Sequence, residues 1–239
     1  MTQFLVENKA VVVPGERLVE GMDVVAGPNT YRDGDAIYSE RLGLAAIDGR
    51  TIKLIPLSGR YVPKTHDVII GKVFNITMNG WQIETNSAYS AVLNLKEGGS
   101  DYIPRGDDLT KYYRVGDYLV CGVVNVTSQK LVDVTMKGQN LFKLRGGRIF
   151  SVSCNKVPRI IGKQGSMVSL LKEATGCKVI VGQNGLVWVS GDPAMELIVQ
   201  KAISKIERES HLSGLTEKMS AYLEKETGKK VFQGETDGV

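Results

Sequence analysis

The stretch 159-RIIGKQGSMVSLL-171 decides the reading of this chain. Gly162 and Gly165 bracket Lys163 and Gln164, with the apolar pair Ile160-Ile161 before them and a helix-like run after. Such a loop can cradle a nucleotide phosphate, clamp a nucleic-acid backbone, or let two helices approach closely. A phosphate-binding P-loop needs Gly-x-x-x-x-Gly-Lys-Ser/Thr, because its run of amides surrounds the phosphates and its hydroxyl holds magnesium. Here Val157 stands at the first glycine position and Gln164 at the hydroxyl position. No Gly-x-Gly precedes it, so a dinucleotide fold is excluded as well.

The charge around the loop narrows the choice. Of 30 basic and 26 acidic residues in the chain, Lys137, Lys143, Arg145, Arg148, Lys156, Arg159, Lys163 and Lys172 fall in a segment without Asp or Glu. The remainder carries 22 basic and 26 acidic residues, so this one segment supplies the whole net charge of +4. A concentrated positive field usually means an anionic partner, most often nucleic acid, since each phosphate contact releases condensed counterions. A solvated basic surface without a partner is the alternative.

Working outward, GRIFSVSC reads as a strand and KVPRII as a short helical turn. SMVSLLKEAT places Met167, Leu170, Leu171 and Ala174 on one helical face before Gly176 stops it. CKVIVG and LVWVSG are strands joined by Gln183-Asn184-Gly185, a turn sequence. Asp192 reads as an N-cap with Pro193 at the first helical position, and the helix it opens aligns Met195, Val199, Ala202 and Ile206. The order βααββα with Gly-x-x-Gly between its two short helices matches the KH module, type I. In that module the glycines let a sugar-phosphate backbone approach, amides at the start of the second helix face phosphate, and about four nucleotides are gripped. Arg159, Ile160, Gly162, Lys163, Gln164 and Gly165 are therefore the expected RNA-binding loop, with Lys143, Arg145, Arg148 and Lys156 as a basic flank. A KH-like fold can also serve as a docking platform alone.

Three domains are expected, in a multidomain α+β chain. Residues 1–60 form short strands with turn signals at Pro14-Gly15, Arg32-Asp33-Gly34 and Asp48-Gly49, a small β domain. Residues 61–137 hold five strand-like runs rich in Val, Ile and Leu, the number a five-stranded OB barrel needs. Their insertion, KEGGSDYIPRGDDLTKYY, is polar and Gly-rich and is expected to be an exposed loop. Arg105, Lys111 and Arg114 could touch a passing strand there, on a surface mixed by Asp101, Asp107 and Asp108; the last two are read as loop solvation rather than a metal site. Residues 147–210 are the KH domain, and 211–239 a polar tail with a helix around Leu215 to Glu226.

Composition excludes several chemistries. Cys121, Cys154 and Cys177 are too far apart for a Cys-x-x-Cys site or a disulfide framework, and two histidines, His66 and His211, in unlike contexts argue against zinc and a Ser-His-Asp triad. No metal, cofactor or catalytic residue is expected. No run of about 18 apolar residues appears, so no membrane span is expected, and the amino terminus lacks a leader pattern, which points to the cytoplasm.

The middle segment resembles an OB domain of the ribosomal S-one type in DVIIGKVFNITMNGWQIE and YRVGDYLVCGVVNVT. That pattern tends to place aromatics beside Gly80 and a His in the third strand, where this chain has Asn79, Gln82 and Leu93. A platform without stacking residues, each worth about 1–3 kcal/mol per base, predicts weak, sequence-tolerant binding. Trp81 can either compensate or be buried.

The three parts in order, with VVPGE, 30-TYRDGDAIYS-39, 54-LIPLSGRYVPKTHDVIIGKV-73 and 162-GKQG-165, resemble the KH-containing cap subunits of the archaeal RNA exosome over residues 10 to 210. His66 stands where that family more often has glycine. The resemblance implies a non-catalytic protein, three copies of which sit through their N-terminal domains on a hexameric ring of RNase-PH-like subunits. The OB domains surround the pore, and single-stranded RNA is threaded to phosphorolytic 3′-to-5′ degradation or processing in the ring. An OB-KH regulator of transcription or translation is the alternative, and a chain with its own nuclease activity a third reading. The cap protein carrying a zinc ribbon is excluded by the cysteine spacing.

Overall fold

The structure, a computed structural model, describes residues 3–99, 103–104, 106–212 and 214–228. The chain divides into two compact units at Gly59 and Arg60.

The first unit is all β. One four-stranded sheet has the order β1 (Gln3–Phe4), β3 (Arg17–Glu20), β6 (Ala36–Ser39), β5 (Thr30–Asp33); the other has β2 (Val11–Val12), β7 (Gly43–Asp48), β8 (Thr51–Pro56), β4 (Val25–Ala26). Alternation along the strands sends Val12, Leu18, Ile37, Ala45, Ile52 and Leu54 into one core. The expected hairpin turns lie one residue later than the Asp-Gly signals suggest. Asp33 pairs with Ala36 and Asp48 with Thr51, so the loops are Gly34-Asp35 and Gly49-Arg50.

The second unit opens with the barrel. β9 (Val68–Thr77), β10 (Gly80–Glu84), β11 (Ser90–Asn94), β12 (Tyr118–Val126) and β13 (Val132–Thr135) close in the order β10-β11-β13-β12-β9. All five runs expected from the sequence are strands, and Ile69, Val73, Ile83, Leu93, Leu119 and Val123 fill the interior. The insertion between β11 and β12 corrects the expectation of an exposed loop. Ile103 and Leu109 are buried in the barrel core, and Tyr112 and Tyr113 pack edge-on against Trp81 with centroids 6.4 and 5.1 Å away. The segment plugs one end of the barrel because its few large apolar side chains outweigh its polar composition.

The KH part follows as β14 (Arg148–Ser151), α1 (Val157–Ile161), α2 (Ser166–Thr175), β15 (Lys178–Val181), β16 (Leu186–Ser190) and α3 (Pro193–Glu209), with the antiparallel sheet order β14-β16-β15. The helical faces are as the periodicity requires: Met167, Leu170, Leu171 and Ala174 are buried, as are Val199, Ala202 and Ile206, with Met195 packed beside them. Gly176 ends α2 in the left-handed region and its amide bonds the Lys172 carbonyl. Asp192 occupies the N-cap of α3, but its side chain makes no cap bond; the Glu196 carboxylate instead accepts from the Gly191 amide at 3.1 Å. A further helix, α4 (Leu215–Thr227), buries Leu215, Met219 and Leu223 in the same core, against α2 and α3.

Barrel and KH part are joined by more than a linker. The turn expected at Gln183-Asn184-Gly185 forms, yet Asn184 is 1% exposed, because its carboxamide is inserted beside β9. Asn184 Oδ1 accepts from the Ile70 amide at 3.3 Å, while Nδ2 donates to the carbonyls of Ile70 at 2.7 Å and Thr85 at 2.8 Å. The β9–β10 ladder runs from Thr77 back to the Lys72–Glu84 pair and stops two residues short of Ile70, so the carboxamide takes the place of the missing peptide. Around it Ile70, Val120, Leu144 and Trp188 form a buried cluster, each side chain worth about 1.5–3 kcal/mol. The connecting segment pairs with β12 through Val120 to Phe142 and Leu144 to Tyr118. These bonds tie the KH sheet to the barrel.

Candidate nucleic-acid interface

The loop between α1 and α2 has the backbone that its two glycines permit, for two different reasons. Gly162 (φ 79°) closes α1 by donating to the Pro158 carbonyl at 3.0 Å, and a Cβ there would lie 2.7 Å from the Met167 amide nitrogen. Gly165 (φ 82°) has only open space where its Cβ would be. The first glycine thus lets the loop pack on α2, and the second leaves an unobstructed face at the start of α2. Gln164 between them is also left-handed, at φ 53°.

Among the described residues no side chain caps the first turn of α2; its Ser166 amide turns back to the Lys163 carbonyl, and the partial positive charge of the helix end lies beside exposed Lys163 and Arg159. Among the described residues neither cation forms an ion pair. Ile160, expected in the binding loop, is 0% exposed and belongs to the KH core; it supports α1 rather than touching a ligand. The loop borders a cleft of about 390 Å³, with Arg159, Gly162, Lys163 and Ser166 on one side and Leu215 and Glu217 of α4 on the other. The contribution of α4 is not legible in the sequence, since nothing in a polar tail announces which cleft its helix will line.

The acid-free segment is partly neutralised on folding. Lys143 meets Asp117, Arg148 reaches Glu196 at 3.1 Å, Lys137 lies 3.9 Å from Glu97, and Lys156 donates to Ser210. Burial pushes the Asp117 carboxyl up, but the Lys143 hydrogen bond and the Arg114 amide outweigh it and hold the group below its ordinary range. Arg145 remains exposed and, among the described residues, without an ion pair. In the insertion, Lys111 pairs with Asp107 at 3.1 Å, Asp108 caps a short turn by accepting from the Thr110 amide, and Arg114 is exposed. Arg105 lies outside the described residues.

On the barrel, Trp81 resolves as core: it is fully buried and its indole donates to the Tyr113 carbonyl at 3.1 Å. Leu93 also points inward, and Gln82 bonds Asn75 at 3.0 Å. Sequence reasoning missed Phe74. Gln82 pairs with Asn75 and Ile83 with Val73, so Phe74 is the extra residue of a bulge and stands 45% exposed. Its signal is the alternation along VIIGKVFNIT, in which Ile69, Gly71 and Val73 turn inward and Phe74 falls on the outer face.

Comparison with known proteins agrees with this layout. Residues 147–195 match the family described as KH domain and residues 60–102 that described as RRP4, S1 domain. The exosome complex component Rrp4 of Methanothermus fervidus is 40% identical over 221 residues, covering 92% of this chain and 97% of that protein. That of Pyrococcus furiosus is 38% identical over 227 residues, covering 93% and 86%. A crystal structure assigned as an exosome complex RNA-binding protein aligns with a TM-score of 0.62 and 34% identity, over 70% of this chain and 97% of that one. With about two residues in five identical over more than nine-tenths of its length, the chain belongs to the Rrp4 family of exosome complex components.

Proposed function

We propose that this protein is a non-catalytic RNA-binding cap of an exosome, which captures single-stranded RNA and guides 3′ ends into a phosphorolytic ring of RNase-PH-like subunits, with three copies per ring, in the cytoplasm. The observation that carries the reading is the open Gly162–Gly165 loop, flanked by Arg159 and Lys163, without ion pairs among the described residues, on a KH part bonded to the barrel. A rigid pair of modules can hold a strand in fixed register over a pore, and three modest sites raise local concentration without any tight site. In this reading Arg159, Lys163, Gln164 and the α2 amides contact phosphate, Arg145 extends the path, and Phe74 offers one stacking face on an otherwise poor platform. Lys143, Arg148 and Lys156 serve the fold first, and Lys111 and Arg114 belong to the insertion that plugs the barrel.

The N-terminal unit fits a docking role. Among the described residues, ten of the twenty exposed large hydrophobic side chains lie between Phe4 and Leu57, about twice the share expected from its length, including Val11, Met22 and Val25 at 62, 70 and 62% exposure. Deleting residues 1–60 should abolish co-purification with the ring; a surviving complex would refute the assignment. For RNA, fluorescence anisotropy with labelled single strands should show weaker binding by Lys163→Asp/Gln164→Asp. The salt dependence should also become shallower, by roughly 0.7 in log-log slope for each phosphate that the loop no longer neutralises. Asp is well tolerated at the left-handed Gln164 position, so the fold survives. Unchanged affinity and slope would make the loop structural.

A further inference from the structure

We propose that the groove between α3 and α4 is a second contact surface for the phosphate backbone of single-stranded RNA, continuing the path that leaves the Gly162–Gly165 loop. The inference rests on the RNA-binding reading above but on different residues. A cavity of about 370 Å³ is lined by Gln200, Lys201, Ser204, Lys205 and Arg208 of α3 and by Tyr222 of α4. Every one of these side chains carries a hydrogen-bond donor and none is a carboxylate. Lys201, Lys205 and Arg208 recur at four- and three-residue spacing, on one face of the helix over about 10 Å. Among the described residues none of the three forms an ion pair.

The lining suits a strand of phosphates and sugars better than a protein surface. Lys205 Nζ sits 4.7 Å from the centre of the Tyr222 ring, which orders the charge at the groove floor without neutralising it. Burial, and then the charge of Glu226, hold the Tyr222 hydroxyl protonated, so it stays a donor. Gln200 and Ser204 add the neutral donors that commonly meet phosphate and sugar oxygens. One helix borders both sites: Leu215 lines the loop cleft and Tyr222 the groove. Seven residues apart, they share a side of α4 about 10 Å apart along its axis. A chain leaving the loop therefore meets the α3 cations within about two helical turns.

The test compares the full-length protein with the variant Lys201→Gln/Lys205→Gln/Arg208→Gln on two RNAs, one of about four nucleotides, the length a KH loop grips, and one several times longer. Removing three cations that each neutralise a phosphate lowers the log-log salt slope for the long RNA by roughly 2.1, so that wild-type binding falls roughly 18-fold more than variant binding between 50 and 200 mM salt. Binding of the short RNA should not change. Should the triple variant melt early, Lys201→Gln/Arg208→Gln keeps Lys205 on the tyrosine ring and carries the same test with a slope change of roughly 1.4. An unchanged slope for the long RNA, in an assay where Lys163→Asp/Gln164→Asp still weakens it, overturns the groove and leaves the loop intact. Intact RNA binding without co-purification of the ring overturns it in favour of a protein contact. Failure of the wild type to bind either RNA overturns the functional reading itself.

Discussion

Asn184→Ala should uncouple the KH part from the barrel. The side chain makes three hydrogen bonds to Ile70 and Thr85 in a place that is 1% exposed, and its removal leaves one amide and two carbonyls of β9 and its neighbour without partners. An orphaned buried group costs about 1–3 kcal/mol, so the ceiling is about 3–9 kcal/mol; water entering the vacated space recovers part, and a loss of about 3 kcal/mol is expected. The chain's two tryptophans divide the measurement between them. Trp81 lies in the barrel core and Trp188 on the KH strand β16 at the junction, so Trp188→Phe and Trp81→Phe backgrounds report the barrel and the KH side of the junction in turn during urea unfolding. In the parent the two transitions coincide; with Asn184→Ala they separate, the Trp188 signal moving first. Asn184→Asp sets carboxylate oxygens against two carbonyls and should cost at least as much. A loss below about 1 kcal/mol with coincident transitions would show that the apolar cluster alone couples the modules, and would refute the role given to the carboxamide.

The two loop glycines should respond differently to alanine. Gly162→Ala combines left-handed strain with a 2.7 Å clash and should lower stability by more than about 2 kcal/mol, whereas Gly165→Ala meets open space and should cost about 1–2 kcal/mol, with RNA affinity reduced; equal costs in thermal melts would contradict the distinction. His66 holds φ at 72°, so His66→Gly should be neutral to slightly stabilising, within about 1 kcal/mol, and a clear loss would mean the imidazole has a role. Burial pushes the Cys121 thiol up to about 12, so the folded state keeps this proton longer than the unfolded chain. The stability it contributes is complete below the ordinary thiol range and lost as pH rises from about 9 toward 12, by at most about 1.4 kcal/mol per unit, and Cys121→Ala should flatten that slope in alkaline denaturation curves. Burial and then Asp67 also raise Tyr61, which adds a second loss at still higher pH in both proteins.

Much of the local structure was legible because it follows from short-range rules. The period of Met167, Leu170, Leu171 and Ala174 fixes the buried face of α2, and Gly176 must end it. The five Val- and Ile-rich runs have alternation enough to become strands. The P-loop was excludable from Val157 and Gln164 alone. What local rules could not supply is the partner of each side chain. Trp81 beside Gly80 is equally compatible with stacking and with burial until Tyr112 and Tyr113 reach it from the far end of the insertion. The polar insertion hides Ile103 and Leu109, and the bulge that leaves Phe74 and Asn75 exposed side by side exists only once β9 and β10 are in register.

The candidate site divides the same way. The sequence by itself determined that a KH loop would lie between two helices in a basic, acid-free segment, since glycine spacing and charge are properties of the chain. Only the tertiary structure decided which charges remain available. Lys143 and Arg148 find Asp117 and Glu196, 26 and 48 residues away, whereas Arg159 and Lys163 find none among the described residues. Opposite charges that approach within hydrogen-bond distance satisfy one another, and which ones approach is set by packing rather than by order along the chain. For the same reason an asparagine in an apparent turn became the bond between two modules, and a helix in a polar tail became the wall of a groove.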